Sequence, residues 1–127
     1  MNNFSRAIYR YDSQTGVLLD IIPDTNIVFA LGENWGDFSG DGRTVAYTTM
    51  AGTVVWRELP SGRLLYEIKD STRILGRLVR CSFNGKFIAM LNFDSTLTVW
   101  DTEKLRLHYF KQLQTIEVHG IASLHNL

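Results

Sequence analysis

The chain has 127 residues, 45% of them hydrophobic, with 13 Lys plus Arg against 13 Asp plus Glu. That is one domain's worth of chain with apolar content for a core, and its zero formal charge provides no bulk attraction to nucleic acid or acidic membrane. The start, Met1 to Arg6, lacks the apolar run of a signal peptide, and no stretch of apolar residues is long enough to span a bilayer. With the single cysteine, Cys81, this points to a reducing, cytoplasmic setting without a disulfide or a membrane.

In chain order, residues 7 to 22 read as two strands around a turn. Ile8, Tyr9 and Tyr11 favour extended backbone, Asp12 to Gly16 is turn chemistry, and Val17 to Ile22 resumes the strand pattern. Pro23-Asp24 breaks the run, and Asn26 to Trp35 connects through Gly32 and Gly36. From residue 35 to 68, turns at Gly40-Asp41-Gly42, Ala51-Gly52 and Pro60-Ser61-Gly62 separate short runs rich in Val, Tyr, Thr and Trp, so three hairpin turns predict four strands. Residues 69 to 77 form a connection, and 78 to 113 repeat the four-strand pattern, with Asn84-Gly85 and Phe93-Asp94-Ser95 as turns. Residues 116 to 124 read as one further strand.

The pattern repeats. Phe38-Ser39-Gly40-Asp41-Gly42-Arg43 matches Cys81-Ser82-Phe83-Asn84-Gly85-Lys86, and the segment ending at Trp56 matches the one ending at Trp100. Gly42 and Gly85 lie 43 residues apart, Trp56 and Trp100 44, and Tyr11 and Trp56 45, a period that belongs to propeller blades. With Trp100-Asp101 nineteen residues after Cys81, the chain resembles the WD-repeat β-propeller family, whose repeat carries a Phe-Ser-Pro-Asp-Gly-Lys-like turn, an Asp-Gly turn and a terminal Trp-Asp. Trp100-Asp101 is the only intact Trp-Asp pair, Arg57 follows Trp56, and no Gly-His dipeptide occurs.

The expected fold is therefore all-β. It is a partial propeller of about two complete four-stranded antiparallel blades (35 to 68 and 78 to 113), a half blade at 7 to 22, and a single C-terminal strand at 116 to 124. The repeat alignment makes Trp56 and Trp100 equivalent structural positions, together with Asp94 and Asp101. In the family, a turn Asp, the strand Trp, a strand-two hydroxyl and a loop His form a buried hydrogen-bond network. Asp94 and Trp100 match two of these positions. Met90 stands near the hydroxyl, no His lies between Lys69 and Arg80, and Ala51 replaces the Asp of the preceding repeat, which leaves that network partial.

Few residues suggest chemistry. Asp37 to Gly42 looks like the start of a calcium loop, but the twelfth position, which needs a bidentate Glu, is Thr48, so a plain Asp-Gly turn is the expectation. There is no phosphate-binding glycine loop and no nucleophile elbow. Glu117, His119 and His125 could share a strand face, yet such a group near a terminus reads as solvated, and Cys81 reads as a buried inert thiol. No catalysis, cofactor or metal is expected. Arg73, Arg77, Arg80 and Lys86 form the only basic cluster, and a solvated loop outweighs nucleic acid there given Glu67 and Asp70 nearby.

The resemblance implies a noncatalytic protein-interaction scaffold, a fragment of a larger propeller, that binds proteins or peptides through loops such as 32 to 40 and 69 to 76. Trp35, outside the repeat register, is the aromatic candidate for a partner contact, and Arg73 and Arg77 are the charged candidates. The alternatives are a propeller segment accessory to a catalytic or sensor domain absent from this chain, or an independent small β-domain. Blades apolar on both sides further imply self-association or the remainder of a propeller to cover the open blade faces.

Overall fold

A computed structural model describes residues 7 to 27 and 35 to 113. Among the described residues, ten strands form antiparallel sheets. A two-stranded sheet joins β1 (Ala7–Tyr11) to β2 (Leu18–Pro23). The second sheet runs in sequence order through β3 (Gly36–Phe38), β4 (Thr44–Thr48), β5 (Val54–Glu58) and β6 (Leu64–Ile68). The third does the same through β7 (Leu78–Cys81), β8 (Phe87–Leu91), β9 (Thr96–Asp101) and β10 (Arg106–Gln112). The strand proposed at 116 to 124 lies outside the described residues.

The strands follow β-branched and aromatic runs, and the turns follow local side-chain chemistry. Asp41, Asn84 and Asp101 each accept a backbone N–H two residues on, which closes each turn on itself. Equivalent positive-φ turn residues recur at a fixed interval. Gly42 pairs with Gly85, Gly52 with Ser95 and Gly62 with Leu105, always 43 residues apart.

The three sheets stack face to face. Calling the face toward the following sheet the front, Ile8 and Ile22 on the front of the first sheet meet Val45, Tyr47 and Val55 on the back of the second. Ala46, Val54 and Ile68 on the front of the second meet Val79, Ile88 and Met90 on the back of the third. Both faces of β4 are thus buried, as its continuous apolar run requires; the back of β8 is buried the same way, and on its front Leu91 packs with Leu78, Leu97 and Leu113. The second and third sheets are also pinned at the backbone. The Asp37 carboxylate accepts the Cys81 N–H at 2.9 Å, and Leu75 N–H donates to Gly52 O at 3.0 Å. Gly76, at φ 80°, sits where a Cβ would fall 2.2 Å from Thr48 Oγ1 and 2.9 Å from Val54 Cγ2, so only glycine allows this approach.

The strand register corrects one expectation. Trp100 pairs with Ile88, and Ile88 stands 43 residues after Val45, whose partner is Arg57. Trp100 is therefore the counterpart of Arg57, and Trp56 is the counterpart of Val99. Matching the two indoles shifted the alignment by one residue, and a one-residue shift in a strand moves a side chain to the opposite face. Trp56 lies on the front of its sheet and Trp100 on the back of the next, so both pack, half-buried, against the same core between the two sheets.

A candidate interaction surface at the loop end

The turn between β4 and β5 (49 to 53), the β6–β7 connection (69 to 77) and the turn between β8 and β9 (92 to 95) gather at one end of the stacked sheets, where Trp35 precedes β3. Their side chains build a depression of about 280 Å³ between the second and third sheets, lined by Trp35, Met50, Gly52, Ile74 and Phe93. Trp35 packs against Phe93, with ring centroids 5.7 Å apart and planes at 46°. The Trp35 indole N–H is buried without an acceptor among the described residues, while its backbone carbonyl accepts the Thr48 N–H at 2.8 Å. Met50 is 62% exposed, Ile74 60% and Phe93 47%. Large apolar side chains at turn positions have no reason from turn chemistry to be there. That misfit is a signal in the chain for Met50, Ile74 and Phe93, whereas the partner contacts expected from sequence are Trp35, Arg73 and Arg77.

Next to Ile74 in the same connection, and outside the lining of the depression, stands a charged group. Arg73 donates from Nη1 to Asp70 at 2.6 Å and from Nε to Asp94 at 3.0 Å, and its guanidinium lies 5.0 Å from the centre of the Phe110 ring. Burial alone would raise the Asp94 carboxyl, but hydrogen bonds from Thr96 and Arg73 outweigh it and hold the group below its ordinary value. The Thr72 hydroxyl and N–H do the same for Asp70. Arg73 thus spans two carboxylates, and Arg77 beside it is exposed. The rest of the basic cluster is not brought together. Arg80 is buried, and Lys86 sits in the turn at the opposite end, 4.0 Å from Glu103.

The polar network under this surface centres on a residue that sequence reasoning missed. Asn92, fully buried, donates from Nδ2 to the hydroxyls of Thr96 and Thr98, both at 3.1 Å, and accepts the Gly76 N–H at 3.1 Å. Asp94 bonds Thr96 and Arg73, whereas the Trp100 indole N–H, like that of Trp56, is buried without a partner among the described residues. Asp101 caps its own turn, accepting the N–H groups of Glu103 and Lys104, and the Lys104 bond leads in lowering its pKa.

The chemistry-bearing groups elsewhere are bound into turns and cores. Asp37 is taken up by Cys81, and Asp41 accepts bonds from Ser39 and Arg43 that lower its pKa, as befits a turn. The Cys81 thiol is buried and donates to Asp37 O at 3.4 Å. Among the described residues no group of three or more His, Cys, Asp or Glu is placed to hold a metal, and no helix is long and apolar enough to cross a membrane. Glu117, His119 and His125 lie outside the described residues.

No protein-family model and no curated protein matches the chain. Solved structures do. RRP9 WD40 repeats superpose with a TM-score of 0.56 over 71% of this chain at 12% identity. The Cps50 (Swd1) β-propeller domain of Myceliophteria thermophila gives 0.56 over 71% at 16%, and a chain of the Mitotic Checkpoint Complex gives 0.58 over 83% at 18%. The fold is that of WD-repeat propeller blades. The chain spans 29%, 27% and 31% of those three structures, respectively. In WD-repeat terms the second and third sheets are four-stranded blades and β1–β2 is half of one, ordered as in a partial propeller. The loop-end depression lies across the junction of the two four-stranded blades.

Proposed function

We propose that the chain is a noncatalytic interaction scaffold, and that the loop end between its two four-stranded blades holds a protein or peptide partner. The observation that carries this reading is the exposure of Met50, Ile74 and Phe93 around an apolar depression whose floor is Trp35. Aromatic floors and exposed apolar rims are what a partner's side chain desolvates most favourably. Arg73 and Arg77, in the same connection as Ile74, add polar contacts that orient the partner. Part of this reading is that the chain belongs to a larger propeller, because a blade apolar on both sides needs a neighbour on both.

Selection of a displayed peptide library against the chain tests the surface. Peptides bearing a bulky apolar residue are expected to enrich on the parent and to lose binding on Ile74→Asp, a substitution at an exposed position. Enrichment that is indifferent to Ile74→Asp and to Met50→Asp would overturn the assignment.

A further inference from the structure

The hydrogen bonds around the loop-end depression say what can enter it. Every N–H from Thr48 to Gly52, along one wall, is already given to an acceptor, among them Trp35 O, Asn26 O and Thr49 O. The hydroxyls of that wall are engaged as well, Thr48 with Gly76 O and Thr49 with the Thr53 hydroxyl at 2.7 Å. On the other wall the Phe93 N–H is held by Ile74 O at 3.2 Å. The Trp35 indole N–H, though without an acceptor among the described residues, is buried away from solvent. An anion entering here would lose its water and find no free donor along the Thr48 to Gly52 wall, so the depression suits an apolar side chain.

Charge stands just outside it. Of the cations in the β6–β7 connection, Lys69 lies 3.7 Å from Glu67, and Arg73 is divided between Asp70 and Asp94. Arg77 is exposed, and among the described residues its side chain has neither an ion pair nor a hydrogen bond. Its place is fixed by Gly76, which is buried, accepts the Thr48 hydroxyl through its carbonyl and donates its N–H to Asn92 at 3.1 Å. Thr48 lines the depression on one side, and Phe93, next in the chain to Asn92, lines it on the other. The turns at 49 to 53 and 92 to 95 bring no further cation, and their single carboxylate, Asp94, is already paired. The charge left without a partner at this end is positive.

We infer that the partner of the loop end is a peptide carrying a large apolar side chain beside an acidic one, the apolar group filling the depression and the carboxylate pairing with Arg77. This rests on the loop-surface reading and narrows it to a partner chemistry. A guanidinium holds a carboxylate through two parallel N–H···O bonds, which fixes where the acid stands relative to the apolar residue. Exposed ion pairs add little affinity, so the apolar contact supplies the binding and the charge supplies the selection.

A displayed library with randomised positions around a fixed leucine, selected on the full chain, tests the inference. Asp and Glu are expected to enrich beside the leucine on the parent, and Lys and Arg to enrich there on Arg77→Glu, a substitution at an exposed position. The strongest peptide is then made with both termini blocked, so that no terminal carboxylate contributes. Replacing its acid by the amide should weaken binding to the parent about two- to fivefold at low salt and leave binding to Arg77→Ala unchanged. Salt at about 1 M should erase the difference. Leucine-dependent binding that Ile74→Asp abolishes, but with no preference for an acid or with a preference that survives Arg77→Glu, would overturn this inference and leave the loop-surface reading standing. Binding indifferent to both Ile74→Asp and Met50→Asp would remove the two together.

Discussion

Tyr66 and Trp100 stack with ring centroids 5.6 Å apart and planes at 25° across the boundary between the two four-stranded blades. Trp56, cross-strand partner of Tyr66, packs into the same core from the opposite blade. The two tryptophans therefore close one interface from its two sides. Trp100→Ala is expected to cost about 3 kcal/mol, in the range for deleting a large aromatic. A double-mutant cycle with Tyr66→Ala should return a coupling of about 0.5–1.5 kcal/mol, and additive losses would show that the stack contributes nothing beyond burial.

The indole N–H groups of Trp56 and Trp100 are buried and meet no acceptor among the described residues. A buried donor without a partner is costly, so its removal offsets part of the volume lost on going to phenylalanine. Denaturant titration of Trp100→Phe should therefore place it within about 1 kcal/mol of the parent.

Between the first and second sheets, the Tyr47 hydroxyl donates to Asp24, and Arg57 Nε donates to the Tyr47 oxygen at 2.8 Å. Arg57 also lies 3.4 Å from the Asp24 carboxylate. Tyr47→Phe strips a partner from both charged groups and is expected to destabilise by about 1–3 kcal/mol. Burial, then the bond to Asp24, pushes the phenol well above its ordinary 10.0. A folded pKa above the unfolded one means that Tyr47's contribution is fully present below pH 10 and is lost as pH rises from there toward the folded value. The difference in stability between the parent and Tyr47→Phe should shrink over that alkaline window and hold steady below it.

Asn92 and Arg73 offer a contrast between buried and exposed polar groups. Asn92→Ala leaves the Gly76 N–H and two threonine hydroxyls short of partners in the interior, and a loss of about 2–3 kcal/mol is expected. Arg73→Ala breaks two ion pairs at a solvent-facing rim and should change stability by less than about 1 kcal/mol. Equal losses in thermal melts would contradict this account.

Cys81 is buried, and desolvation, followed by the nearby Asp37 carboxylate, pushes its thiol up to about 12. At neutral pH a thiol reagent should label it only as fast as the chain opens, so labelling rates are expected to rise in step with denaturant-induced unfolding. Prompt labelling of the native chain would mean that β7 opens independently of the blade.

Turns and strands were legible in the chain because their causes are local. Asp and Asn side chains bond backbone two residues ahead, glycines supply positive φ, and β-branched runs mark strands buried on both faces, which is why the hairpins and the all-β blades could be read directly. The pairing of faces could not, because it depends on register, and register is a relation between strands. Trp56 and Trp100 look alike in sequence, yet the cross-strand register makes Trp100 the counterpart of Arg57 and sends the two indoles to opposite faces of successive blades. The gathering of Met50, Ile74 and Phe93 into one surface, and the role of Asn92 beneath it, came only from tertiary structure. Three connections distant in the chain meet there because the blades stack, and stacking is set by which apolar face each register turns toward its neighbour.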